Sequence, residues 1–237
     1  MLIVLSTPRS GSTLLCDFLR INKACLPHEY FQPHQYMQIL ADRWGCVTEG
    51  VLDPVRYINA LRTFRTYANG WLGINLHGSH LEIFLPMKSY LPDVRFYFIH
   101  VKRKDEIAQA VSYYIASETG QWSSHFRADS QPLYDFHGIE LALEKIQRQN
   151  SNIDSYLSRQ SSSYMTVYYE DLVANPVDFL KRLPCIKTEH IEVSGGSLKK
   201  QSSNLGLKWI DNFTRDLKEG KTISGKWSSV QKLLKRN

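Results

Sequence analysis

LIVLSTPRSGSTLLCDFL, residues 2–19, decides the fold. Leu2, Ile3, Val4 and Leu5 read as a buried strand, 1–5 with the initial Met1. The apolar run stops at Thr7-Pro8-Arg9-Ser10-Gly11, and a helix is expected over 11–20. Strand, turn and helix together make an anion site. The first amides of a helix have no intrahelical acceptor, and the helix dipole favours negative charge there. Gly11 lets the backbone approach a phosphate, and Ser10, Ser12 and Thr13 add hydroxyl donors up to Leu14. Arg9 adds a planar charged fork. The rival reading is a capped turn with Arg9 as a surface charge. The P-loop pattern G-x-x-x-x-G-K-[ST] does not fit, because there is one glycine and no lysine. The nucleophile elbow G-x-S-x-G does not fit either.

Outward from this stretch, strands and helices alternate. Helical spacing of Val55, Ile58, Leu61 and Phe64 predicts a helix over 53–67. Short strands are expected over 73–76 and 164–169, and a central strand over 94–101, VRFYFIHV. Further helices are expected over 104–117, 139–157, 173–183 and 205–217. This alternation implies an α/β fold with a mostly parallel sheet flanked by helices. Ligands of such sheets bind beyond the carboxyl ends of the strands. Arg103, ending VKR, and Ser112, in the following helix, fall there. They could hold a second phosphate some distance from the first.

The two pieces together resemble a sulfotransferase that uses 3′-phosphoadenylyl sulfate (PAPS). In that comparison PRSGSTLL (8–15) matches the 5′-phosphosulfate loop, and Arg103 with Ser112 matches the pair that holds the 3′-phosphate. Arg9 stands where cytosolic members usually carry lysine. The chain most resembles the trehalose 2-sulfotransferase-like family of bacterial carbohydrate sulfotransferases. The motifs are PRSGSTLLC (8–16), HEYF (28–31), RKDEIAQAVSYYIASETGQW (103–122) and YYEDLVANP (168–176). The likeness runs from residue 1 to about 180 and thinly to about 215. It implies a three-layer fold like that of P-loop NTPases and a metal-free reaction. PAPS would be co-substrate, and the acceptor a carbohydrate or glycolipid. Arg9 and residues 10–14 would hold the 5′-phosphosulfate, and Glu29 of HEYF would be the base, with His28 as its rival. Two departures stand out. The group's G-x-K is Gly73-Ile74-Asn75, and GKTISGKW (220–227), with Lys221, only faintly matches a nucleotide lid.

The bulk numbers agree. With 237 residues, 43% hydrophobic, one domain is expected over 1–237, with 218–237 as a basic appendage. A net charge of +6 favours an anionic partner. No nucleic-acid motif accompanies it. Cys16, Cys25, Cys46 and Cys185 form no C-x-x-C and read as reduced core thiols. His77 and His80 are spaced for a metal, but no further ligand is evident, so they read as surface or loop histidines. Trp122 could line a pocket or the core. Asn212-Phe213-Thr214 is a glycosylation sequon that matters only on secretion. With no signal or transmembrane run, a cytoplasmic location is expected. The basic face of 226–236 could touch a membrane or pack on the domain. Dimerisation is an expectation carried by the resemblance. The rival functions are a kinase, which the missing lysine opposes, and a sulfotransferase fold that binds nucleotide without turnover.

Overall fold

The computed structural model describes residues 1–33, 36–122, 132–160, 164–193 and 204–221. In chain order they form β1 (Leu2–Ser6), α1 (Ser12–Ile21), α2 (Tyr36–Arg43), a small hairpin of β2 (Val47–Thr48) and β3 (Val51–Leu52), and α3 (Pro54–Arg65). Next come β4 (Gly73–His77), a 3-10 turn at Gly78–His80, α4 (Leu81–Lys88), β5 (Tyr97–Lys102), α5 (Glu106–Thr119) and α6 (Phe136–Leu157). The order closes with β6 (Tyr164–Tyr168), α7 (Tyr169–Ala174), α8 (Pro176–Leu180) and α9 (Asn204–Lys218).

The chain divides into two compact units. The first comprises Met1–Lys104 and Gln147–Leu198 and holds the whole four-stranded sheet, ordered β4-β1-β5-β6. Every pairing in it is parallel. β1 is buried along its whole length, so it reads as an apolar run with no polar face. Ile3 and Leu5 join Ile74, Leu76 and Phe98 under α3 and α4, while Leu2 and Val4 join Ile99 and Val101 under α1. These are the three layers, helix–sheet–helix. Each such side chain contributes about 1.5–3 kcal/mol of burial.

The strand order reverses at β1. The next sheet strand in the chain, β4, pairs on one side of it, and the following one, β5, pairs on the other. A parallel sheet opens a crevice at such a reversal, beyond the carboxyl ends of the strands. Ser6 pairs with His77 and with Val101, so three strands end side by side there.

The second unit comprises Asp105–Ile146 and Lys199–Asn237. Its core joins Val111 of α5, Ile139, Leu143 and Ile146 of α6, and Trp209 and Phe213 of α9. The Tyr134 hydroxyl donates to Asp216 Oδ2 at 2.8 Å, and Lys221 Nζ reaches Oδ1 of the same carboxylate at 2.8 Å.

Several boundaries differ from the sequence expectation for identifiable reasons. The expected helix over 173–183 is two short helices, α7 and α8, broken at Pro176. Proline has no N–H to continue α7 and pushes the residue before it out of helical geometry, and Asn175 sits at φ −138, ψ 61. Asp53 is the N-cap of α3, not its first residue, and accepts from the amides of Val55 and Arg56. Val55 and Phe64 are 45% and 56% exposed, so Tyr57, Ile58 and Leu61 form the buried stripe instead. All four cysteines are buried free thiols.

His100 in β5 is fully buried, with Nδ1 3.2 Å from Asp154 Oδ1. Burial, then Lys102, bring its pKa down to about 4 against the pull of Asp154. An unfolded chain therefore takes up a proton that the folded chain refuses, and stability falls as pH falls from about 6.5 towards 4. Urea titrations at pH 7 and pH 5 should show His100→Gln losing less stability on acidification than wild type, by about 2 kcal/mol. Equal losses in both would mean that His100 is not what the acid disrupts.

Candidate active site

The loop after β1 has an unusual backbone. Arg9 and Gly11 both adopt the left-handed region, at φ 64 and φ 93. For arginine this conformation is strained, and such strain persists where the surroundings enforce it. Chains of this kind make concave amide nests for anions. Gly11 is the N-cap of α1 and supplies no side-chain cap, so the first-turn amides receive none from it. Only glycine fits here: a Cβ would lie 2.3 Å from the Tyr169 ring at the start of α7. Ser10 is fully buried, and its Oγ has no hydrogen-bond partner among the described residues. Ser12 is buried, Thr13 exposed and Leu14 half-buried.

Arg103 leaves the end of β5 and turns towards this loop. Its Nη1 donates to the Arg9 carbonyl at 3.4 Å, its guanidinium lies 5.2 Å from the centre of the Tyr169 ring, and its Nε is 3.7 Å from Glu170 Oε1. Burial, and then the charge of Arg103, lower the pKa of Arg9. Two guanidinium groups at one crevice repel each other, and an anion between them relieves the repulsion. Ser112, half-buried on α5, belongs to the second unit.

Glu29 is held by the sheet edge. After α1 the chain returns along β4, where the Asn75 amide donates to the His28 carbonyl at 2.9 Å. Gly73 makes the approach possible, because a Cβ there would lie 2.7 Å from Cys25 Sγ and 2.9 Å from Pro27 Cγ. The Gly73-Ile74-Asn75 departure thus supports the Glu29 segment through its backbone. Asn75 Oδ1 also accepts from Ser6 Oγ at 3.4 Å. The Glu29 amide donates to His28 Nδ1 at 2.9 Å, and the His28 ring stands edge-on to Tyr36 with centroids 4.3 Å apart. The Glu29 side chain is only 26% exposed. Burial raises its pKa, with His80 and His28 pulling the other way. A raised pKa makes a stronger base.

The expectation that His77 and His80 are isolated surface or loop histidines is overturned. His77 ends β4 and is mostly buried, and His80 is 5% exposed. Burial brings both down to about 4. Glu29 joins them, and one ligating atom from each of the three lies within 4.8 Å of the others. Their spacing was visible in the sequence. The third member was not, because it lies 48 residues before His77 and meets it only through the return of the chain along β4. Tyr169 and Glu170 were also not assigned roles, although they lie inside the recognised motif YYEDLVANP. Trp122 is 46% exposed and packs edge-on against Tyr113, outside the core of its unit. Lys221 pairs with Asp216. The rest of the lid resemblance, residues 222–227, and the basic face of 226–236 lie outside the described residues.

Residues 1–216 match the model of the Stf0 sulphotransferase family. The chain belongs to that family. It is 25% identical over 249 aligned positions to a trehalose 2-sulfotransferase of Mycobacterium tuberculosis (strain ATCC 35801 / TMC 107 / Erdman), covering 89% of this chain and 93% of that protein. Membership of a sulfotransferase family makes this chain a transferase, and its α/β sheet is consistent with that family. No helix among the described residues is long and apolar enough to cross a membrane.

Proposed function

We propose that this protein transfers the sulfuryl group of PAPS to a hydroxyl of a carbohydrate or glycolipid. Glu29 acts as general base, and Arg9 with residues 10–14 holds the 5′-phosphosulfate. The observation that carries the reading is the joining of two features at the carboxyl ends of neighbouring strands. The cationic loop follows β1 and is met by Arg103 from β5; the carboxylate stands beside His77 at the end of β4. Ser6 and His77 are paired across β1 and β4, a spacing of about 5 Å. A base and an anion cradle one strand apart suit a hydroxyl attacking next to a leaving phosphate.

The residues present fit the donor. The loop offers a buried hydroxyl, Ser10 Oγ, and a guanidinium that an anion would stabilise. Glu29 accepts the acceptor proton as the new oxygen–sulfur bond forms. Arg9 and the amides of Gly11, Ser12 and Thr13 stabilise charge on the departing 5′-phosphate as its bond to sulfur breaks. Arg103 is assigned to the 3′-phosphate. The M. tuberculosis relative's name supports a carbohydrate acceptor. The reaction is read as metal-free.

The test compares two ligands and one transfer. Adenosine 3′,5′-bisphosphate at about a hundred times its Kd should raise Tm by roughly 5–10 °C, and ATP with magnesium should do much less. Labelled PAPS should then mark a product in polar or lipid extracts of the source cell. Preferential stabilisation by ATP with magnesium would point to a kinase. Bisphosphate binding with no transfer to any glycan acceptor would leave a binding protein.

A further inference from the structure

Glu29, His77 and His80 are two imidazoles and a carboxylate gathered from three places in the chain: the return segment after α1, the end of β4 and the following 3-10 turn. His77 Nε2 and Glu29 Oε1 are 3.7 Å apart. That is too long for a hydrogen bond, which needs about 2.7–3.2 Å. It is close to the distance between two ligands of one tetrahedral ion. With metal–ligand bonds of about 2.0–2.2 Å, that edge is about 3.4 Å. The third group is within reach of both. The sheet fixes His77, the 2.9 Å bond from Asn75 to the His28 carbonyl fixes the Glu29 segment, and the burial of His80 limits its freedom. The His77 amide approaches His80 Nδ1 at 3.3 Å, at the weak end of hydrogen bonding. Little is therefore lost if that ring changes tautomer to take an ion.

We infer that Glu29, His77 and His80 form a zinc site, and that zinc bound there inhibits sulfuryl transfer by taking the carboxylate needed as base. Two histidines and a glutamate are a ligand set that zinc accepts, leaving a fourth position open to water. Magnesium prefers oxygen ligands and is a poor match for two imidazoles. The inhibition rests on Glu29 being the base. The binding does not, and is read separately.

The experiment uses the full chain and zinc chloride alone. Competition with a chromophoric chelator should show one zinc bound per chain, and magnesium should not displace it. His80→Ala should weaken zinc binding at least tenfold. Because His80 is buried, His77→Gln serves as a second variant and should do the same. Zinc should raise the Tm of wild type and of neither variant. In the transfer assay, zinc should inhibit wild type over the same concentration range in which it binds, and a chelator should restore turnover. Binding that is unchanged in both variants, or absent from wild type, overturns the site. Histidine-dependent binding that leaves turnover intact overturns the inhibition. A Glu29→Gln enzyme that retains turnover would instead remove Glu29 as base, while the binding result stands on its own.

Discussion

Glu29→Gln is expected to lower kcat by a hundredfold or more while leaving PAPS affinity within a few-fold of wild type. A positioned base contributes about 10²–10⁴ to a proton-transfer step. Glutamine keeps the shape of the side chain and cannot accept the proton. The proposed donor cradle is separate: Arg9, Ser10, Gly11 and Arg103 belong to the loops after β1 and β5, while Glu29 belongs to the segment along β4. The variant should therefore still gain stability from adenosine 3′,5′-bisphosphate. It should also be no less stable than wild type. Burial raises the Glu29 pKa, so stability is lost as pH rises from the ordinary carboxylate range to that raised value, and the cost stands in full above it. Glutamine removes that cost, and Tm at neutral pH should hold or rise. Glu29→Ala should lose as much activity, showing that the proton and not the amide group is responsible. If Glu29→Gln turns over normally, the base lies elsewhere, and His28, whose Nδ1 accepts from the Glu29 amide, is the next residue to replace.

What the sequence disclosed here was local, and what it concealed was not. β1, the turn and α1 occupy one continuous stretch, in which apolar residues, glycine and hydroxyls each report their own backbone. The parallel sheet was legible from alternation, because every crossover needs its helix. α4 was missed: it is eight residues long with Pro86 inside it, and such a segment reads as a break. The candidate site shows the same division. Arg9 and Gly11 could be selected from their neighbours, but the need for glycine at position 11 comes from Tyr169, far along the chain. The pair His77 and His80 looked idle because Glu29 reaches it across the sheet edge. Contacts between distant segments leave no periodicity to read. The recognised motifs name segments without stating what they touch.

Arg9→Ala is the second large effect expected, a fall of about 10²–10³ in kcat, the range seen when one donor to developing charge is removed. The size of the stability change separates this from simple damage. Arg9 is held in the left-handed region, and its guanidinium pays for burial and for the nearby charge of Arg103. Alanine keeps the Cβ and so the left-handed strain, but it removes the buried charge and its repulsion with Arg103, so Tm should fall little although turnover does, the usual trade between a site and its fold. Arg9→Lys keeps the charge and loses the fork, and should recover most of the rate, to within about tenfold of wild type. Arg103→Ala tests the other end of the donor. It should raise KM for PAPS and change little for a donor lacking the 3′-phosphate. Arg103 Nη1 also touches the Arg9 carbonyl, so a second outcome is open to measurement. If both donors lose equally, Arg103 acts by holding the 5′ loop, and the 3′-phosphate must be bound by other residues. If Arg9→Ala lowers Tm and activity together, its left-handed turn is scaffold, and the leaving phosphate is not what it serves.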